Sequence, residues 1–144
     1  MKSHSATDKQ TAASDPASSV WVAASAGTGK TRVLTDRVLR LLLMGSDPGQ
    51  ILCLTFTRAA AAEMANRLHG DLSRWAIYED TQLEQALAGL TGQMPTADEI
   101  ERARQLFARV LDAPGGLKIQ TIHAFCESLL SRFPLESGIP PHFS

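Results

Sequence analysis

Cysteine is scarce in this sequence: Cys53 and Cys126 are the only two. They form no CxxC pair and no metal-ligand cluster, which argues against a disulfide framework or a zinc site and points to a reducing, cytoplasmic setting. His4, His69 and His142 stand at no ligand spacing with His123. Long apolar runs are missing as well. A run such as Leu41–Met44 is far short of the roughly 20 residues that cross a bilayer. The polar start Met1–Lys9 has no signal-peptide core. Nor is there an excess of one charge: the formal net charge is −1, so any contact with an anionic polymer must come from local groups. What is present is the composition of a globular protein, 44% hydrophobic and 20% charged over 144 residues, enough for one domain or part of a larger one.

The first half alternates in pattern. Met1–Ser19 is rich in Ser, Ala, Thr and Asp and is expected to be mobile, at least up to Gln10. Val20–Ala24 reads as a short buried strand, broken by Gly27 and Gly29. Lys30–Met44 carries Leu34, Val38, Leu41 and Leu42 at helical spacing, with Gly45 as a stop and Asp47-Pro48-Gly49 as a turn. Ile51–Thr55 reads as a second buried strand, and Arg58–His69 as a helix with Ala60, Met64 and Leu68 on one face. Strand, helix, strand, helix argues for an α/β fold, a parallel sheet flanked by helices.

The middle differs. Leu83, Leu87 and Leu90 repeat at helical spacing until Gly92 and Pro95 interrupt. Thr96 and Glu99 form a capping box ahead of a helix expected to bury Ile100, Ala103, Phe107, Val110 and Leu111. Pro114-Gly115-Gly116 stops it. Leu117–Gln120 reads as a third short strand, and Ile122–Phe133 as a helix with Ile122, Phe125, Leu129, Leu130 and Phe133 on one side. The expected organisation is a flexible tail over 1–9, an α/β portion over 10–70, a helical insertion over 71–114, and a return to the α/β portion over 115–144.

The central motif is Ala24-Ser25-Ala26-Gly27-Thr28-Gly29-Lys30-Thr31. It lies after an expected strand and at a helix N-terminus, where free amides and the positive helix end can face an anion. Gly27 and Gly29 let the backbone curl around phosphates. Lys30 sets a charge against the β- and γ-phosphates of ATP, and the Thr31 hydroxyl can bind Mg²⁺. Such a loop defines only a nucleotide-binding class, and its first position is Ala24 where the general pattern has glycine.

The flanking residues narrow the class. The stretch from Lys9 to Thr31 resembles the start of UvrD-like helicases of superfamily one, in which alanine at the head of the loop is normal. The resemblance implies a RecA-like domain and makes Gln10 the residue that recognises adenine, a role suited to a primary amide with its adjacent donor and acceptor. It also places Arg32 in the nucleotide site. Leu54-Thr55-Phe56-Thr57-Arg58-Ala59-Ala60-Ala61-Ala62-Glu63-Met64 is similar to the family's motif Ia, which implies single-stranded DNA contacts by Phe56, Thr57 and Arg58. From its residue type alone, Phe56 could equally stack a base or pack in the core. Ile119-Gln120-Thr121-Ile122-His123-Ala124-Phe125-Cys126 is similar to the family's next motif and adds Thr121 and His123 as DNA contacts. Outside that motif His123 is more often a structural histidine.

Pro114–Cys126, with Arg132-Phe133-Pro134-Leu135-Glu136 and Pro140-Pro141-His142-Phe143, resembles the AddA type of alphaproteobacteria, over nearly the whole chain from about Gln10. That resemblance implies an ATP-driven 3′ to 5′ DNA helicase subunit that acts on single-stranded and duplex-end DNA in double-strand break repair by recombination. It further implies an AddB-like partner, with the Asp-Glu pair for hydrolysis, a second RecA-like domain and a nuclease module all lying past Ser144. The chain alone is then expected to be nearly inert as an ATPase. Trp75–Asp80 imitates an acidic site but reads as an amphipathic helical segment. The alternatives are another UvrD-like repair helicase, a truncated module that binds nucleotide or DNA without turnover, and a small-substrate P-loop kinase; the kinase accounts for neither flanking motif.

Overall fold

The computed structural model describes residues 6–23 and 29–133. Its elements are α1 (Ala6–Ala13), α2 (Lys30–Leu43), a short 3-10 turn (Pro48–Gln50), β1 (Leu52–Thr55), α3 (Arg58–Ile77), α4 (Asp80–Thr91), α5 (Ala97–Asp112), β2 (Lys118–Thr121) and α6 (Ile122–Arg132). The fold class is α/β: β1 and β2 pair in parallel, Leu52 opposite Lys118 and Thr55 opposite Thr121, with helices around them.

Local chemistry sets the ends of these elements. Gly45, at φ 98°, follows α2 and donates its amide to the Leu42 carbonyl, a left-handed stop that suits glycine. The Asp47 carboxylate accepts from the Gly49 amide and opens the 3-10 turn that feeds β1. Thr96 and Glu99 form the expected capping box: the Thr96 amide donates to Glu99 Oε2 at 2.8 Å, and Thr96 Oγ1 accepts from the Glu99 amide at 3.3 Å. Gly92, at φ 77°, closes α4.

Helix α3 continues through Gly70 to Ile77, past the expected end at His69. Met64, Leu68, Leu72 and Trp75 form one buried stripe along it. Burying one such side chain is worth about 1.5–3 kcal/mol, which outweighs the roughly 1 kcal/mol that an interior glycine costs. The boundary expected at residue 70 therefore falls inside α3. Leu83 and Leu87 of α4 and Ala103, Leu106 and Val110 of α5 join the same core as Val38, Leu39, Leu42 and Leu43 of α2. The helical stretch is thus part of the body that carries α2. An Arg102 guanidinium donating to the Leu43 carbonyl ties α5 to the end of α2.

Several sequence expectations change in three dimensions. Residues 6–9, expected in a mobile tail, form the first turns of α1 because arginines of α2 hold the end of that helix. Among the described residues, 20–23 of the expected strand Val20–Ala24 have no strand partner, and Trp21 is 92% exposed; Ala24 lies outside the described residues. A strand needs a neighbour for its amides and carbonyls, and β1 and β2 are paired with each other. β1 itself alternates, Cys53 half-buried and Leu52 and Leu54 exposed, so it is covered on one face rather than two. Leu34 and Leu111 point outward, and Val33 and Leu106 take the inward positions of their helices. In α6 the apolar side of Ile122, Leu129, Leu130 and Phe133 is open, and no residue of that helix is buried. Among the described residues no helix is long and apolar enough to cross a membrane.

Candidate functional site

The expected nucleotide site gathers at the start of α2. Residues Ala24, Ser25, Ala26, Gly27 and Thr28 of the loop lie outside the described residues. Gly29 is the N-cap of α2 at φ 86°, ψ 19°, a left-handed conformation that favours glycine. It brings no side-chain oxygen to the helix end, so the first-turn amides receive no capping acceptor from it. The Thr31 carbonyl accepts from Thr35 Oγ1 at 2.9 Å, which secures the first turn. Arg32 lies on the surface, 3.8 Å from Asp36.

Gln10 reaches this point from α1. A Cβ built on Gly29 would lie 3.3 Å from Gln10 Nε2, so the primary amide sits directly over the glycine that opens α2. Lys30 lines a cavity of about 450 Å³ with Ser19, Val20, Val22, Leu34 and Arg37. The residues present fit a triphosphate: a helix mouth without a capping side chain, a lysine in its first turn and an amide beside the bend. Among the described residues no cluster of three or more His, Cys, Asp or Glu could hold a metal.

The second gathering is at the carboxyl ends of the strands. Because β1 and β2 are parallel and in register, Thr55 and Thr121 end them side by side, and a helix starts directly behind each. Thr57 Oγ1 caps α3 by accepting from the Ala60 amide at 3.1 Å, and Thr121 Oγ1 caps α6 by accepting from the Ala124 amide at 3.2 Å. Thr55 Oγ1 donates to the Thr57 carbonyl at 2.9 Å and shapes the bend between strand and helix. Phe56, Arg58, Thr121, His123, Ala124 and Glu127 line one cavity of about 350 Å³. Residues more than 60 positions apart in the chain thereby form one cradle: two positive helix ends, a guanidinium, an imidazole and an aromatic ring. Such groups can hold a phosphate and stack a base.

Phe56 is 89% exposed, so it does not pack into the core formed by the described residues. Thr57 spends its hydroxyl on its own cap. Glu127 had no motif to mark it: it lies one turn after His123 on α6, and only the helix brings its carboxylate to the cavity rim.

The acidic segment Trp75–Asp80 is structural. Trp75 is buried in the core, Ile77 ends α3, and the Glu79 amide donates to Gln82 Oε1 at 3.2 Å at the start of α4. Arg104 of α5 donates to Asp80 Oδ1 and to the Tyr78 carbonyl, at 2.5 and 2.8 Å. Elsewhere, burial pushes the Asp36 carboxyl above its ordinary range, with Asp71 adding to the rise and Arg32 and Arg40 opposing it. Burial likewise raises the Cys53 thiol above its ordinary range.

A parallel pair of strands whose carboxyl ends open onto helix N-termini, flanked by helices, defines an α/β protein. The UvrD/REP helicase N-terminal domain family matches residues 5–144, and the chain belongs to that family, whose domain is RecA-like. Similar curated proteins are ATP-dependent helicase/nuclease subunits A, the AddA type. That of Levilactobacillus brevis is 38% identical over 122 residues, covering 85% of this chain and 8% of the relative. That of Pelotomaculum thermopropionicum is 35% identical over 127 residues, 86% of this chain and 8% of the relative. That of Ligilactobacillus salivarius is 32% identical over 135 residues, 94% of this chain and 9% of the relative. The chain thus spans less than a tenth of the length of these three relatives. No solved structure matches it.

Proposed function

We propose that this chain is the ATP-binding and first strand-gripping portion of an AddA-like DNA helicase, of the alphaproteobacterial type, working in the cytoplasm at the nucleoid. In this reading residues 10–70 and 115–144 are parts of one RecA-like domain, and the helices of 71–114 are added to it on a shared core, with the break at 70 lying within α3. Gln10 reads adenine, Ala24–Gly29 wrap the phosphates, Lys30 neutralises them, Thr31 ligates Mg²⁺, and Arg32 flanks the site. ATP with Mg²⁺ supplies the hydrolysis that drives stepping. Phe56, Thr57, Arg58, Thr121 and His123 hold single-stranded DNA through its phosphates and a stacked base, contacts that are indifferent to sequence and so compatible with stepping along a strand. Polarity 3′ to 5′, action on duplex ends in recombinational repair, and pairing with an AddB-like subunit follow from the resemblance to AddA.

The observation that carries the reading is the shared cavity of Phe56, Arg58, Thr121 and His123 at the ends of paired parallel strands. A surface lysine on a glycine-rich turn does not account for a second, independent set of strand-end groups in the same chain. The test is fluorescence anisotropy of a labelled oligo-dT with the purified chain at low salt. Binding that falls at least fivefold in Phe56→Ala and in Arg58→Ala supports the assignment. Equal binding by wild type and both variants would overturn it.

A further inference from the structure

Helix α1 has only eight residues, too few to persist in water without tertiary support. Its side chain of interest, Gln10, nevertheless stands over Gly29. The support comes from α2. Arg40, with its side chain 14% exposed, donates to the Thr11 carbonyl at 2.8 Å and to Ser14 Oγ at 3.0 Å, and lies 3.8 Å from Asp15 Oδ1. Ser14 is 1% exposed and donates its own hydroxyl to the same Thr11 carbonyl. Arg37 spreads its guanidinium over the next turn, donating to the Asp15 carbonyl at 2.5 Å and to the Ser18 carbonyl at 2.6 Å.

The two arginines stand three residues apart on α2 and so share a face. They meet the end of α1 that carries the negative helix dipole and unsatisfied carbonyls, where a cation is favoured twice over. Helix α2 also begins at the glycine beneath Gln10. One rigid rod therefore carries the phosphate end at its mouth and the clamp for the base-side amide two to three turns along.

We propose that Arg37 and Arg40 are positioning residues for the nucleotide site: by fastening α1 to α2 they hold Gln10 over Gly29 and set the preference of the site for adenine. The proposal rests on the reading of Gln10 as the base contact. It places specificity in residues that touch no part of the nucleotide.

The test compares equilibrium binding of ATP, GTP and inorganic tripolyphosphate by the wild-type chain, Gln10→Ala, Arg40→Ala and the milder Arg40→Lys and Ser14→Ala, with folding checked by circular dichroism. Arg40→Ala is expected to lower the ATP-to-GTP affinity ratio about fivefold, as far as Gln10→Ala does, with tripolyphosphate binding unchanged. If Arg40→Ala does not fold, Arg40→Lys and Ser14→Ala carry the measurement and should move the ratio in the same direction. An unchanged ratio in the folded Arg40 and Ser14 variants beside a lost preference in Gln10→Ala overturns the proposal and spares the base contact. A parallel fall for all three ligands overturns it too, since the arginines then only support the fold. A wild type that does not distinguish ATP from GTP removes the base contact itself, and the proposal with it.

Discussion

Thr55 and Thr121 face each other across the parallel pair β1–β2, and each is followed within three residues by a helix start, capped by the hydroxyl of Thr57 in one case and of Thr121 itself in the other. That pairing brings two positive helix ends to one edge of the sheet, although the segments lie far apart in the chain. The caps themselves are testable. Thr57→Ala and Thr121→Ala should each lower stability by about 1 kcal/mol, read as a shift in the urea midpoint at constant slope, and serine at either position should restore most of it. A Thr121→Ala variant as stable as wild type would show that the start of α6 is held by something other than its cap.

Arg58 is an exposed cation at the cradle. If it meets a phosphate, Arg58→Ala should reduce the slope of log affinity against log salt by about 0.7 for a single strand, with the same loss for oligo-dT and a mixed sequence. A loss confined to one sequence would instead mean that the cradle reads bases.

Lys30 stands in the first turn of α2. Charge-assisted contacts to a phosphate are worth about 1.5–3 kcal/mol, so Lys30→Ala should weaken Mg-ATP binding at least tenfold, as measured by calorimetry. Retention of wild-type affinity would leave the helix mouth without its assigned anion.

Leu72 is fully buried where α3 meets the other helices of the core. Leu72→Ala should cost about 2–5 kcal/mol, and the loss should appear in a single transition that also reports α2 and α5. Two separate transitions would make the helical stretch an independent unit.

Asp36 gives a pH prediction with a definite sign. Its folded pKa is raised, chiefly by burial and further by Asp71, so the folded state holds this proton more tightly than the unfolded chain. Its contribution is most favourable below the ordinary carboxylate pKa and is lost as pH rises through the raised value. Asp36→Asn should therefore raise the melting temperature at neutral pH and lose that advantage in acid. Asp71→Asn should give a smaller gain in the same direction.

Much of this was legible in the residues. The capping box at Thr96 and Glu99, the glycine stops at Gly45 and Gly92, and the strand-to-helix junctions after β1 and β2 are local rules, readable over a few positions. Phe56, Arg58, Thr121 and His123 of the cradle were readable as motif residues, which keep their types wherever the fold places them; Glu127 was not. Trp21 and Leu34 were not, because burial depends on neighbours that spacing along one segment cannot supply. Gly70 was misleading for a related reason: its local cost is real, and a buried stripe on both sides of it outweighs that cost.

The residues alone named the groups this protein has to offer: a lysine behind two glycines at a helix start, and threonines at two strand-to-helix junctions. Tertiary structure alone decided which of those groups meet. The parallel register put Phe56 and Arg58 beside His123, and the packing of α1 on α2 put Gln10 over Gly29. The reason is physical: torsional preferences and caps act within a turn or two of chain, whereas the approach of distant segments is governed by how apolar faces bury one another, a property of the whole body.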